Sequence, residues 1–223
     1  MNSSIKIKFL YSFLSLLFLA DLLFIYLDKT NFRFISKNLL MPVLLFTYLS
    51  EAKSHQIKLD LFFILGLFFS FLGDFFLLLK SGFLLGLGSF LLAHIFYIIS
   101  FKKRSLSRVS VGVIVVLLLY LVSLISFLFP HLKEMKIPVI IYGIIISTML
   151  YFSIKTQEKL LIVGALFFVI SDSILSVNLF VSSSLLLNLL VMITYVLAQV
   201  LLVKGILKTS KTYSEHSINF LKL

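Results

Sequence analysis

Apolar stretches fill almost the whole chain and leave no room for a separate soluble domain. A helix crossing the hydrocarbon core of a bilayer needs about 20 such residues. The stretches fall at 9–27, 35–50, 59–79, 82–101, 109–129, 137–154, 160–179 and 184–204. The second and sixth are short, and each holds a proline, Pro42 and Pro138. The start, MNSSIKIKF followed by an apolar run, has the outline of a signal peptide. That run continues past Asp21 to Leu27 without a small-x-small cleavage site, so it reads as a retained span. The pattern predicts an all-α fold: a polytopic bundle of eight transmembrane helices, one integral membrane domain over 1–223.

Composition narrows the class further. Hydrophobic residues make up 61% and charged residues 13% of 223, where a soluble domain carries about 25% charge. A soluble globular protein, a disordered chain and a nucleic-acid-binding domain are excluded. Cysteine is absent, which removes disulfides, iron–sulfur clusters and thiol nucleophiles. The net charge of +11 is resolved by its distribution between the spans. With the N-terminus inside, fourteen of the twenty Lys and Arg fall on the inner side, Lys222 among them, and Lys29, Arg33, Lys37, Lys80, Lys133 and Lys136 on the outer. Cytoplasmic loops carry the basic excess, so both termini are expected in the cytoplasm. The surplus is an orientation signal and a contact with membrane lipid headgroups. The Ile, Lys and Phe usage and the short loops point to a bacterial inner membrane.

The third and seventh spans resemble each other. ILGLFFSFLGDFFLLL from Ile64 and IVGALFFVISDSILSV from Ile162 align at an offset of 98, sharing Gly66/Gly164, Phe69/Phe167, Asp74/Asp172 and Leu77/Leu175. The same offset sets Tyr97 on Tyr195. Four spans per half predict two parallel repeats, roughly 9–101 and 109–204, related by an axis along the membrane normal.

Three carboxylates lie inside spans: Asp21, Asp74 and Asp172. With a rise of about 1.5 Å per residue, each sits roughly 7–10 Å below the outer end of its helix. An acid at such depth costs at least about 2.5 kcal/mol, so each is expected to face protein or water, and all three to converge on a cavity open to the outer face. Two carboxyls in a low-dielectric site divide into a neutral acid and an ionised base. Gly66, Ser70 and Asp74 form a small-residue stripe that admits a neighbouring helix; Asn188, Met192, Tyr195 and Gln199 form a second stripe, and His94 and Tyr97 stand at i, i+3. Read singly, His94, Tyr97, Tyr195 and Gln199 are helix-packing residues, and Lys37 is a snorkelling interfacial lysine. No metal site or cofactor is expected, because zinc sites use three protein ligands and His94 is the one histidine within a span. There is also no GxSxG elbow and no Gly-rich phosphate loop.

The stretches FSFLGDFFLLL (69–79), FLLGLGSFLLAHIFYIISF (83–101), GALFFVISDSILSVN (164–178) and TYVLAQVLLVKG (194–205) resemble the YhhN-like family of eight-span membrane proteins, the lysoplasmalogenases. SKNLLMPVLL (36–45) resembles the lysine-containing start of the second family helix, with Asn38 where the family has proline. The resemblance implies hydrolysis of the vinyl ether bond of a lysophospholipid substrate, giving a fatty aldehyde and glycerophosphocholine or glycerophosphoethanolamine. The family's acids match Asp74 and Asp172, its histidine and tyrosine match His94 and Tyr97, and Tyr195 and Gln199 match its last motif. On that chemistry Asp74 and Asp172 are expected to be the acid–base pair, and His94, Tyr97, Tyr195 and Gln199, with Asp21 and Lys37, the polar groups that surround or orient the substrate. From the residues alone, a proton-coupled secondary transporter using the same acids is the competing reading.

Overall fold

In a computed structural model, residues 3–106 and 108–220 are described, with side chains over 4–106 and 108–211; Lys222 of the predicted inner set lies outside them. Eight helices are found among these residues: α1 (Ser3–Tyr26), α2 (Thr30–Ser54), α3 (Leu61–Leu77), α4 (Phe83–Lys102), α5 (Val111–Leu128), α6 (Lys136–Lys155), α7 (Lys159–Phe180) and α8 (Leu185–Phe220). Two 3₁₀ turns, Phe129–His131 and Lys133–Met135, join α5 to α6. Seven helical segments are long and apolar enough to span a bilayer, and α3 is a shorter apolar helix of 17 residues.

Where the boundaries differ from expectation, the cause is local. The second helix is 25 residues long and runs straight through Pro42, which removes one backbone donor without ending the helix. Pro138 sits in the first turn of α6, where a missing N–H is harmless. Both short spans are therefore full-length helices. The last helix continues well past the predicted end at 204, since nothing in ILKTSK breaks it. The third is shorter than 59–79 because Asp60 caps it, accepting from the amides of Phe62 and Phe63.

Neighbouring helices close a ring. The order α1–α2–α3–α4–α6–α7–α8 returns to α1, and α5 lies outside against α6 and α7. Lining the interior are Leu40, Leu44 and Tyr48 of α2, Phe63 and Leu67 of α3, Phe90 and Tyr97 of α4, Phe168 of α7 and Leu202 of α8, all buried. In α5 only Leu128 is buried; Val115, Leu119 and Val122 face outward, as suits a lipid-facing helix. The ring positions α1 and α5 differently, although they are counterparts in the predicted repeat: α1 closes the ring and α5 leans on its rim. The α3–α4 and α7–α8 pairs each pack closely as neighbours in sequence. Both α3 and α7 begin behind an acidic N-cap, Asp60 and Glu158, at the separation that relates Asp74 to Asp172.

Candidate active site

The small-residue stripe of α3 faces α4 and α8. A Cβ on Gly66 would fall 2.3 Å from the Tyr97 ring, so only glycine admits that ring against the backbone. Held there, Tyr97 donates to Gln199 Oε1 at 2.9 Å, and Gln199 Nε2 donates to Ser70 Oγ at 3.0 Å. One turn further along both helices, Tyr195 donates to Asp74 Oδ2 at 2.7 Å. The other carboxylate oxygen, Oδ1, lies 3.2 Å from Lys37 Nζ, supplied by α2. Asp74 is 2% exposed, and each of its oxygens meets a donor. Lys37 does not snorkel: its stem and amine are buried inside the ring, where the buried Asp74 carboxylate offers what an interfacial lysine would seek in water.

Asp172 stands in different surroundings. The Tyr142 hydroxyl of α6 donates to its Oδ2, and His94 Nε2 is 3.8 Å from the same oxygen. His94 Nδ1 is 2.6 Å from the Phe90 carbonyl oxygen. A carbonyl only accepts, so Nδ1 carries the proton of the neutral ring and Nε2 turns its lone pair toward Asp172. Apolar cavities lie on both sides of the Asp172–Tyr142 contact. One, of about 40 Å³, is lined by α5, α6 and α7. The other, of about 50 Å³, lies among Leu77, Leu87, Phe90, Leu175 and Phe180.

Asp21, fully buried on α1, accepts from Ser36 Oγ at 2.8 Å through Oδ1, while its Oδ2 has no hydrogen-bond partner among the described residues. It acts electrostatically on Asp74, and Arg33 and Lys37 act on it.

The predicted residues thus separate into two centres and an annex. Asp74, Lys37, Tyr195, Tyr97 and Gln199 form one connected set, His94 and Asp172 a second, and Asp21 adjoins the first through its charge. No hydrogen bond joins the two carboxyls among the described residues. Phe168 bridges the centres, its ring 4.7 Å from His94 and 5.5 Å from Tyr195. Among the described residues, Asp172 lines two apolar cavities that neither Asp21 nor Asp74 lines, and Phe90 and Phe168 pack edge to face beside the two centres. Sequence reading missed Tyr142 and Ser36; each shares its span with several other polar residues, so no local signal singled it out.

An integral, multi-pass helical bundle that buries acidic residues against a lysine, tyrosines and a histidine is the class defined by fold and site. The YhhN family model matches residues 32–206, and the chain belongs to the YhhN family. Lysoplasmalogenase TMEM86B of Mus musculus is 34% identical over 118 residues, covering 52% of this chain and 50% of that protein. The match therefore spans about half the length of that curated relative. No solved structure matches.

Proposed function

We propose that this chain hydrolyses the vinyl ether bond of lysoplasmalogens inside the membrane, with Asp172 on the proton-donating side and Asp74 as the anion that steadies the cation. The observation that carries this reading is the contrast between the two carboxyls. Asp74 accepts from an ammonium and a phenol, contacts that favour the ionised form. Asp172 faces the lone pair of His94 Nε2, so a proton between them, on the acid or on the ring, relieves the contact. Asp172 also lines a small apolar pocket beside Leu77, Leu87 and Phe90.

The chemistry follows from the substrate. A vinyl ether has no carbonyl, so it calls for neither a serine nucleophile nor an oxyanion hole. The proton goes to the carbon β to the ether oxygen, using the π electrons and leaving an oxocarbenium ion at the α carbon. Water adds there and surrenders a proton to the ionised carboxylate. The hemiacetal then breaks its bond to the glycerol oxygen, which takes a proton and departs as alcohol, leaving the aldehyde. Glycosidases divide comparable labour between two carboxyls. In this reading the Asp74 carboxylate, held ionised by Lys37 and Tyr195, is the negative charge that steadies the cation. The family match and the lysoplasmalogenase relative support the same activity.

The test is aldehyde release from lysoplasmenylethanolamine by the purified protein. Asp74→Asn and Asp172→Asn are each expected to lower kcat by about 100-fold or more. Asp172→Asn should keep the melting temperature within a few degrees. Asp74→Asn also lowers it by stranding the buried Lys37 ammonium, so its kcat is read at a temperature where the variant stays folded. Turnover near the wild-type rate in either variant overturns the assignment of that carboxyl.

A further inference from the structure

One open cavity, of about 410 Å³, belongs to neither centre. It lies between the α1–α2 turn and the α7–α8 turn and is lined by Asp28, Lys29, Arg33, Ser184 and Asn188 together with apolar ends of α1. We propose that it is the headgroup subsite of the same lipid substrate, with Arg33 and Lys29 receiving the phosphate and Asp28 the ammonium of a zwitterionic glycerophospholipid.

The side chains argue for a bound anion. Arg33 Nε is buried with no hydrogen-bond partner among the described residues. A desolvated guanidinium donor left so is costly unless an acceptor arrives, and the fork of an arginine fits a phosphate with two parallel bonds. Lys29, exposed on the same wall, adds a second cation. Neither cation forms an ion pair with Asp28 among the described residues. Asp28 sits at the turn with φ 52°, a left-handed conformation that aspartate tolerates, and its exposed carboxylate shares the cavity wall with the two cations. One cavity therefore carries both signs of charge side by side, as a phosphoethanolamine or phosphocholine group does.

Reach agrees with this placement. Arg33 precedes Lys37 by one helical turn, roughly 6 Å along α2, and Asn188 precedes Tyr195 on α8 by two, roughly 10 Å. From the phosphorus to the sn-1 ether oxygen, a glycerol backbone spans roughly 6 Å at ordinary bond lengths. A phosphate on Arg33 thus brings the ether oxygen to the level of Lys37 and Asp74.

The subsite rests on the hydrolase reading, and the test separates the two. A saturated 1-O-alkyl-glycerophosphoethanolamine, which has no vinyl ether to cleave, and the phosphate-free 1-O-alkylglycerol are titrated against the full-length protein in neutral detergent, with native mass spectrometry as readout. The wild type is expected to bind the phospholipid form at least tenfold more tightly. Lys29→Gln combined with Arg33→Gln should shrink that preference below twofold. Asp28→Asn should weaken the phosphoethanolamine form several-fold while a phosphomonoester analogue lacking the amine stays bound. Should the double variant fail to fold, the exposed Lys29→Gln alone, expected to narrow the preference at least threefold, decides the matter. Equal affinities in the wild type, or a preference that survives the Lys29 and Arg33 changes, overturns the subsite. Headgroup preference without aldehyde release from lysoplasmenylethanolamine refutes hydrolysis and leaves the subsite standing; release without preference does the reverse.

Discussion

At single residues, the decisive feature is how little space surrounds the α3–α4–α8 contact. Gly66→Ala gains about 1 kcal/mol of helix propensity but forces a methyl into the Tyr97 ring, whose carbons would stand 2.3 and 2.5 Å away. That ring cannot retreat: Phe63 and Phe101 pack on it, and its hydroxyl is bonded to Gln199. Overpacking of this kind costs about 1–3 kcal/mol, so the clash outweighs the propensity. Gly66→Ala should lower the melting temperature and slow turnover together. Gly88, on α4 with nothing within 4 Å of an added Cβ, is the control; Gly88→Ala should raise the melting temperature slightly. Spacing alone showed the Gly66–Ser70–Asp74 stripe, because small and polar residues stand out in a Phe- and Leu-rich helix. It did not show that Asp74 and Asp172, alike in sequence context, have unlike partners. Tyr195 bonds Asp74, yet its counterpart Tyr97 turns to Gln199, and Asp172 takes Tyr142 from α6 instead. Those choices depend on distances between helices, which no local pattern encodes.

Among elements, the end of the bundle opposite the candidate site is fastened by one loop residue. Asp60 caps α3, its amide donates to the Tyr48 hydroxyl of α2, and Ser100 of α4 donates to its Oδ2 at 2.8 Å. Arg104 pairs with the same oxygen and reaches Ser210 of α8 at 2.9 Å. Four helices therefore meet around Asp60 and its partner Arg104. Burial alone would raise the Asp60 pKa; the Arg104 guanidinium and the Ser100 hydroxyl more than offset it and hold the group below the usual carboxylate range. A depressed native pKa contributes stability that is complete above the unfolded value, near 4, and is lost as pH falls through the native one. The melting temperature of the wild type should accordingly drop as the solution is acidified below about pH 4. Asp60→Asn should remove much of that acid dependence and, by stranding the buried Arg104 charge, cost about 3–5 kcal/mol at neutral pH. Identical acid profiles for the two proteins would show that Asp60 does not carry the effect. The number of helices and their approximate places were legible from hydropathy, since apolar length is a direct consequence of bilayer thickness. The full length of α2 was not, because a proline read as a weakness is absorbed within a packed helix.

For the whole molecule, the arrangement suits the proposed hydrolysis better than proton-coupled transport. Alternating access needs two bodies that rock about a central site. Here α1 closes the ring against α8, α5 lies outside it, and the candidate residues are cross-linked between the two halves of the sequence. Lys37 and Asp74 from the first half meet Tyr195 from the second; Tyr97 meets Gln199; His94 faces Asp172; Arg104 holds Ser210. Rocking one half against the other would break all of these contacts at once, each between groups largely removed from water, where an unmet polar atom costs about 1–3 kcal/mol. A reaction that leaves the ring closed and lets a single-chain lipid enter from the bilayer avoids that cost. The protein should therefore release aldehyde from lysoplasmenylethanolamine in detergent micelles, where no compartments exist. In sealed vesicles, collapsing an imposed proton gradient with an uncoupler should change the rate less than twofold. Activity confined to vesicles and abolished by the uncoupler would instead assign the buried acids to proton-coupled transport and overturn the hydrolytic reading of the fold.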